Sequence, residues 1–232
     1  MRTYIQNFDE SLQGGIPKGH VVLITGTPGT MKSSVCYNIL YQNALVNKTK
    51  SVYMTLEQSR DNLLQQMHAM NMDKEEAKEH VHILDLGLIR KSLTQLSAKG
   101  TWMQVFKMYA ESLKHSLNYE IIVVDSLDVL EMAAQIGENR RTDLFFLFEW
   151  LRNLGITTFL ISETSPETMF ENKYDEGYLA DGVISLKLHE LGETDIQRRI
   201  RAVKMRSTNH KTGYFSLLFN DGVFRATQVI TE

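Results

Sequence analysis

The stretch Val21-Val22-Leu23-Ile24-Thr25-Gly26-Thr27-Pro28-Gly29-Thr30-Met31-Lys32-Ser33-Ser34 constrains this chain more than any other. Aliphatic and β-branched residues end in a glycine-rich turn, and a Lys-Ser pair opens a segment of helical periodicity. Strand, turn and helix in that order make a phosphate-binding loop. The buried strand fixes the turn, the glycines let main-chain N–H groups face one anion, and the helix N-terminus adds partial positive charge there. The pattern predicts that Thr27, Pro28, Gly29, Thr30, Met31, Lys32, Ser33 and Ser34 surround the phosphates of a nucleotide. Lys32 is expected at the outer phosphates, and the Ser33 hydroxyl on a Mg²⁺ ion. Met31 stands where G-x-x-x-x-G-K-[ST] has its second glycine. If that position requires φ > 0, the methionine costs about 1–2 kcal/mol.

Downstream, Val35, Ile39, Leu45 and Val46 keep near-helical spacing as far as Asn47-Lys48, and a second strand follows from Ser51 to Leu56. Ser59 is placed to cap a helix carrying Leu63, Leu64, Met67 and Met70. A charged turn over 73–76 leads through a short helix to a strand over 81–84, and Trp102, Val105, Phe106, Tyr109, Leu113 and Leu117 then form a helical core stripe. Ile121-Ile122-Val123-Val124, without polar alternation, predicts a strand buried on both faces, as in a parallel sheet. Thr142 is placed to cap a helix through Leu151 that Gly155 closes, and a strand over 157–161 ends at Ser162-Glu163. Strands alternating with helices predict an α/β fold, a mostly parallel twisted sheet flanked by helices. From Gly182 the rhythm changes to strands over 183–189, 198–205, 214–219 and 223–226, an antiparallel extension with a hairpin signal at Asn220-Asp221-Gly222. Ahead of the loop, 8–12 reads as a helical turn and Gly14 to Gly19 as a tight approach into the first strand, so one domain is expected over 1–232.

The formal net charge of −3 argues against gripping nucleic acid through a broadly basic face. Cys36 is the only cysteine, which excludes an intramolecular disulfide and a cysteine-built metal cluster and suits a reducing compartment. The first residues lack a signal-peptide pattern, and no stretch approaches the roughly 20 apolar residues that span a bilayer, so a cytoplasmic protein without membrane contact is expected. Cys36 itself reads as a small buried hydrophobe.

Asp125, at the end of an apolar strand, is where a carboxylate can hold a Mg²⁺ hydration shell opposite Ser33. Glu57 ends the strand after the loop, at the carboxyl edge where open α/β sheets bind ligands, and a carboxylate there can orient or deprotonate an attacking water. Ser162 and Glu163 end a further strand, where they can either hydrogen-bond an outer phosphate or serve as helix-cap or loop residues. Lys204 and Arg206 alternate along a strand and share a face, which suits a phosphate clamp. With Arg198, Arg199 and Arg201 nearby, spacing alone favours a solvated edge strand guarded by charge.

Taken together, these motifs identify a resemblance. Gly14-Gly15-Ile16-Pro17, Gly26-Thr27-Pro28-Gly29-Thr30 with Lys32-Ser33, Tyr53-Met54-Thr55-Leu56-Glu57, Val123-Val124-Asp125-Ser126, Ala180-Asp181-Gly182-Val183-Ile184 and Lys204-Met205-Arg206 span nearly the whole chain. In order and spacing the chain resembles the archaeal KaiC-like ATPases of the RecA superfamily, the group that includes GvpD-like and Rad55-like proteins. The resemblance implies a RecA-like core that hydrolyses ATP with Mg²⁺ between subunits of a ring, commonly a hexamer. It implies Glu57 as the first of two paired catalytic glutamates and Asp125 as the Walker B aspartate. Lys204 and Arg206 become the Lys-x-Arg pair that reaches a neighbour's site, and His210 a histidine near the nucleotide. The chain departs from the pattern at Gln58, in place of the second glutamate, and at Met31, and slow hydrolysis is expected from both. A single such domain without the second glutamate gives no ground for expecting a clock or a kinase.

Three functions of different classes follow. The first is an ATPase acting as a signalling or regulatory switch; the second is a nucleotide-binding regulatory module without useful catalysis. The third, a recombinase-like DNA-binding protein, is disfavoured because the segment from Glu163 to Asp181 carries Glu167, Glu171, Asp175 and Glu176 against Lys173 alone.

Overall fold

The computed structural model describes residues 1–88, 101–136, 139–163 and 176–229. The chain opens with a one-turn helix α1 (Phe8–Ser11), then β1 (Val21–Gly26), α2 (Lys32–Asn47), β2 (Ser51–Thr55), α3 (Arg60–Ala69), α4 (Glu75–Lys78) and β3 (Val81–Asp85). It continues with α5 (Thr101–Leu117), β4 (Ile121–Asp125), α6 (Leu127–Ala134), α7 (Arg140–Asn153), β5 (Thr157–Glu163) and α8 (Glu176–Leu179). Four strands finish it: β6 (Gly182–Leu191), β7 (Asp195–Met205), β8 (Phe215–Asn220) and β9 (Val223–Gln228). Among the described residues the strands form one sheet in the order β3-β2-β4-β5-β1-β6-β7-β8-β9.

The pairings from β3 through β6 are parallel and those from β6 to β9 antiparallel, so the predicted α/β architecture with an antiparallel extension is the observed one. Every residue of β2 and of β4 is buried, because the parallel half of the sheet is covered on both faces. One apolar layer packs α1, α2 and α3 against Tyr53, Val123, Phe159 and the inner face of the extension. The other packs α5, α6 and α7 against Val52, Val124, Leu160 and Leu23. No helix among the described residues is long and apolar enough to cross a membrane.

Local chemistry places most boundaries where the sequence predicts them. Ser59 accepts from the Asn62 amide at the start of α3, and α2 stops at Lys48 in a left-handed conformation. Asp221 and Gly222 take φ of 49° and 77° to turn the β8–β9 hairpin. Gly15 is required by contact, since a Cβ there would stand 2.2 Å from the Met1 carbonyl oxygen. One expectation fails and one helix is unforeseen. Thr142 lies inside α7, whose N-cap is Asn139, so helix formation begins a turn earlier than the polar threonine suggests. The sequence reading also passes over α6, which Ser126 caps by accepting from the Val129 amide.

Of the acidic segment invoked against DNA, Glu167, Glu171, Lys173 and Asp175 lie outside the described residues. Glu176 is buried and paired with Arg140, which also grips Glu131 through two hydrogen bonds of 2.6 and 2.9 Å. Its charge is therefore compensated within the protein, which corrects its reading as a group that repels phosphate.

The edge of the sheet opposite the phosphate loop is fastened by Asp181. Its carboxylate accepts from the Val21 amide at 3.1 Å, Arg152 Nε at 2.9 Å and Arg206 Nη1 at 2.8 Å. Burial pushes this carboxyl upward, but Arg152, the Val21 amide and Arg206 outweigh it and hold the group below the usual carboxylate range. A depressed native value means stability that is present above the unfolded value, near 4, and lost as pH falls through the folded one. Asp181→Asn is expected to lower unfolding free energy at pH 7 by about 1–3 kcal/mol. The gap to wild type should close below about pH 4; denaturant titrations across that range measure both.

Candidate functional site

β1 lies between β5 and β6, bonded in parallel to both, so its end at Gly26 is fixed from two sides. Gly26 is needed there because a Cβ would come 2.4 Å from the Leu186 carbonyl oxygen of β6. Thr30 Oγ1 then donates to the Thr27 carbonyl at 2.8 Å, and Gly29 turns the loop at φ 82°. Met31 N-caps α2 at φ 72° and ψ 30°, so the position does adopt the left-handed conformation that suits glycine. Its side chain packs against the α2-side core. The side chain of Lys32 folds back over the loop, its Nζ donating to the carbonyls of Gly26 at 2.8 Å and Thr27 at 3.2 Å.

The carboxyl ends of β2, β4 and β5 bring acids to the same place. A cleft of about 350 Å³ is lined by loop residues including Lys32 and Ser33, together with Glu57, Asp125, Glu163 and Arg198. Asp125 is buried, and its Oδ2 accepts from the Tyr53 hydroxyl at 2.5 Å. Burial pushes its carboxyl above the usual range, opposed by hydrogen bonding from Tyr53 and Ser33, with Glu57 adding to the rise. Glu57 Oε1 accepts from the Ser126 hydroxyl, which ties the end of β2 to the start of α6. The main chain of Gln58 closes the strand-end turn, its carbonyl accepting from Thr55 Oγ1 at 2.7 Å. The Ser34 hydroxyl accepts from Gln66 of α3, and the Glu163 amide donates to Asp128 at 2.8 Å. Burial pushes the Cys36 thiol well up, in keeping with its reading as a core residue.

The remaining predicted residues are elsewhere. Lys204 Nζ donates to the carbonyls of Gly177, Tyr178 and Ala180 at 3.0, 3.2 and 2.6 Å, capping the C-terminus of α8, and Arg206 joins it at the Tyr178 carbonyl. Both lie at the sheet edge fastened by Asp181, away from this chain's own loop. His210 sits near α1, where the neighbouring Lys211 amide reaches the Ser11 carbonyl, and its Nδ1 contacts the Thr208 carbonyl.

Sequence reasoning missed Arg198, whose Nε donates to the Gly29 carbonyl at 3.1 Å. Counting by twos puts Arg198, Lys204 and Arg206 on one face of β7. A bulge opposite Val183 and Ile184 admits Val203 as an extra residue and turns the last two to the other face. A larger cleft, about 660 Å³ and lined by Arg2, Lys18 and Glu120, lies at the opposite edge and holds none of the loop groups.

A family model described as "ATPase: KaiC" matches residues 1–223. The chain belongs to this KaiC ATPase family. The circadian clock oscillator protein KaiC of Rippkaea orientalis is 26% identical over 233 residues, covering 96% of this chain and 43% of that protein. The circadian clock protein KaiC2 of a Synechocystis strain is 24% identical, covering 94% of this chain and 38% of its own length. The chain thus spans less than half of these relatives. A crystal structure of a KaiC-like protein from the hyperthermophilic archaeon Pyrococcus horikoshii superposes with a TM-score of 0.81, 25% identity and 97% coverage of both chains. The family and the fold support a RecA-type, nucleotide-binding ATPase of the KaiC group, as the motifs imply.

The loop conformation gives a stability test within this family member. Met31→Ala keeps the left-handed strain and loses packing, whereas Met31→Gly relieves the strain. The glycine variant should be the more stable of the two by about 1 kcal/mol, the reverse of their order inside a helix. Urea unfolding of both variants decides it.

Proposed function

We propose that this KaiC-family chain binds and slowly hydrolyses ATP with Mg²⁺, as a regulatory switch that assembles into a ring, commonly of six copies, in the cytoplasm. The observation that carries the reading is the convergence of Lys32, Ser33, Asp125 and Glu57 on one cleft at the carboxyl edge of a parallel sheet. The main-chain amides from Thr27 to Ser34 cradle the phosphates, and Lys32 moves from the loop carbonyls to the outer phosphates.

One hydroxyl and one carboxylate, both oxygen donors at the loop mouth, fit a Mg²⁺ ion shared with phosphates. Ser33 and Asp125 would hold it, and when bound it neutralises charge on the transferring phosphoryl group. Glu57 orients the attacking water and takes its proton, with Ser126 fixing the other end of the carboxylate. Glu163 and Arg198 border the outer phosphate from β5 and β7.

Lys204, Arg206 and His210 can serve a nucleotide only from a second copy, because they lie away from this chain's own loop. In the free chain the carbonyls of α8 and Asp181 hold the two cations in reserve. Slow turnover is expected because a neutral glutamine, Gln58, stands where the family pattern has its second catalytic glutamate. That same feature motivates a second reading, a nucleotide-binding regulatory module without useful catalysis.

Particle mass with and without Mg·ATP, together with phosphate release, tests assembly and turnover at once. Glu57→Gln is expected to lower turnover about 10²–10⁴-fold while Mg·ATP still binds. Release no faster from wild type than from Lys32→Ala, with binding intact, would favour the second reading. Lys32→Ala and Arg206→Ala should each be inactive alone and regain activity when mixed, since mixed rings contain sites with an intact loop and an intact neighbour. No recovery in mixed particles would rule out the intersubunit site.

A further inference from the structure

Tyr53 lies in the middle of β2, fully buried among apolar neighbours on the α2 side of the sheet. Its partner β4 runs parallel, with Tyr53 opposite Val123 and Thr55 opposite Asp125. Residues two apart on a strand share a face, so Tyr53 and Asp125 point to the same side, one strand and two residues apart. A phenol spans that offset: the ring carries its hydroxyl forward to Asp125 Oδ2 at 2.5 Å. Phenylalanine would fill nearly the same volume, and only the hydroxyl needs Asp125. The ring also packs against Tyr37, with centroids 6.1 Å apart, and Tyr37 belongs to the helix that begins with Lys32 and Ser33. Ser33 interacts with both Tyr53 and Asp125.

The terminal torsion of an aspartate is broad and two-fold, so rotamer preference alone does not orient its carboxylate. A fixed donor does. We propose that Tyr53 is a positioning residue for the metal: its hydroxyl holds Oδ2 of Asp125, so that the other carboxylate oxygen and Ser33 Oγ face a Mg²⁺ ion on the nucleotide. Tyr53 thereby sets the Mg²⁺ concentration at which ATP binds tightly. Without the hydroxyl, the carboxylate turns and one buried oxygen loses its donor. The inference rests on the proposed Mg·ATP site.

Calorimetric titration of ATP, in EDTA and over a series of free Mg²⁺ concentrations, tests it, with Mn²⁺ binding followed by paramagnetic resonance as a readout independent of turnover. Tyr53→Phe is expected to bind ATP in EDTA like wild type and to require about tenfold more Mg²⁺ or Mn²⁺ for half-saturation. A folded Tyr53→Phe protein with wild-type metal dependence overturns the inference and leaves the ATP site standing. Wild type that binds no ATP at any Mg²⁺ concentration overturns both.

Asp125→Asn separates positioning from packing. Once the carboxylate is gone, adding Tyr53→Phe should change metal dependence by no more than about twofold, and a further additive loss assigns Tyr53 to packing alone. If Tyr53→Phe by itself does not fold, the double variant carries the test. Recovery of a cooperative unfolding transition supports the pairing, and no recovery overturns it.

Discussion

Parallel strands deliver all their carboxyl ends to one edge, and here that edge takes its position from β1, hydrogen-bonded on both sides to β5 and β6. Gly26 lets the Leu186 carbonyl approach where any side chain would collide, so the loop leaves the sheet in one direction. From that direction follow the start of α2 at Lys32 and the placing of Ser33 beside Asp125. Glu57 arrives at the same cleft because β2 pairs with β4 in a register that sets Thr55 against Asp125. The cleft is a consequence of sheet pairing more than of any single polar contact.

How much of this the sequence reveals depends on the range over which each cause acts. Ile121 to Val124 declare a doubly covered strand because burial acts on every residue, and Ser59 declares a helix start because capping is local. Met31 is legible as an anomaly, and the backbone shows what it tolerates, a φ of 72° held by the surrounding loop and by packing. Arg198 is illegible because its meaning depends on which end of β7 meets the loop and on a one-residue bulge. Period-two counting cannot detect that bulge. Tyr53 is illegible for a related reason, since its partner lies two positions along a neighbouring strand and 72 residues away in the chain. Thr142 misleads because a polar residue near a helix start looks like a cap wherever it falls.

The charged groups divide between the two edges according to what each edge requires. At the carboxyl edge acids gather around a cationic loop, and burial acts upward on Asp125 while its hydroxyl donors resist. At the amino edge Asp181 is satisfied by a backbone amide and two guanidinium groups, and Lys204 closes the open carbonyls of α8. The cations expected to meet a second nucleotide therefore have structural work to do in the single chain. Any neighbour that draws them away must offer acceptors at least as good as three carbonyls and a carboxylate.

The bulge in β7 decides which face each of its cations leaves from. Arg198 grips the phosphate loop from one face of the strand, and Lys204, six residues on and roughly 20 Å away along extended chain, leaves from the opposite face. The span between them is paired to β6 except at Val203, where the bulge interrupts the ladder. Without the extra residue, period-two alternation would bring both side chains out of the same face. One strand thus carries cations out of opposite faces at its two ends, Arg198 toward the Gly29 carbonyl of the loop and Lys204 toward the carbonyls of Gly177, Tyr178 and Ala180.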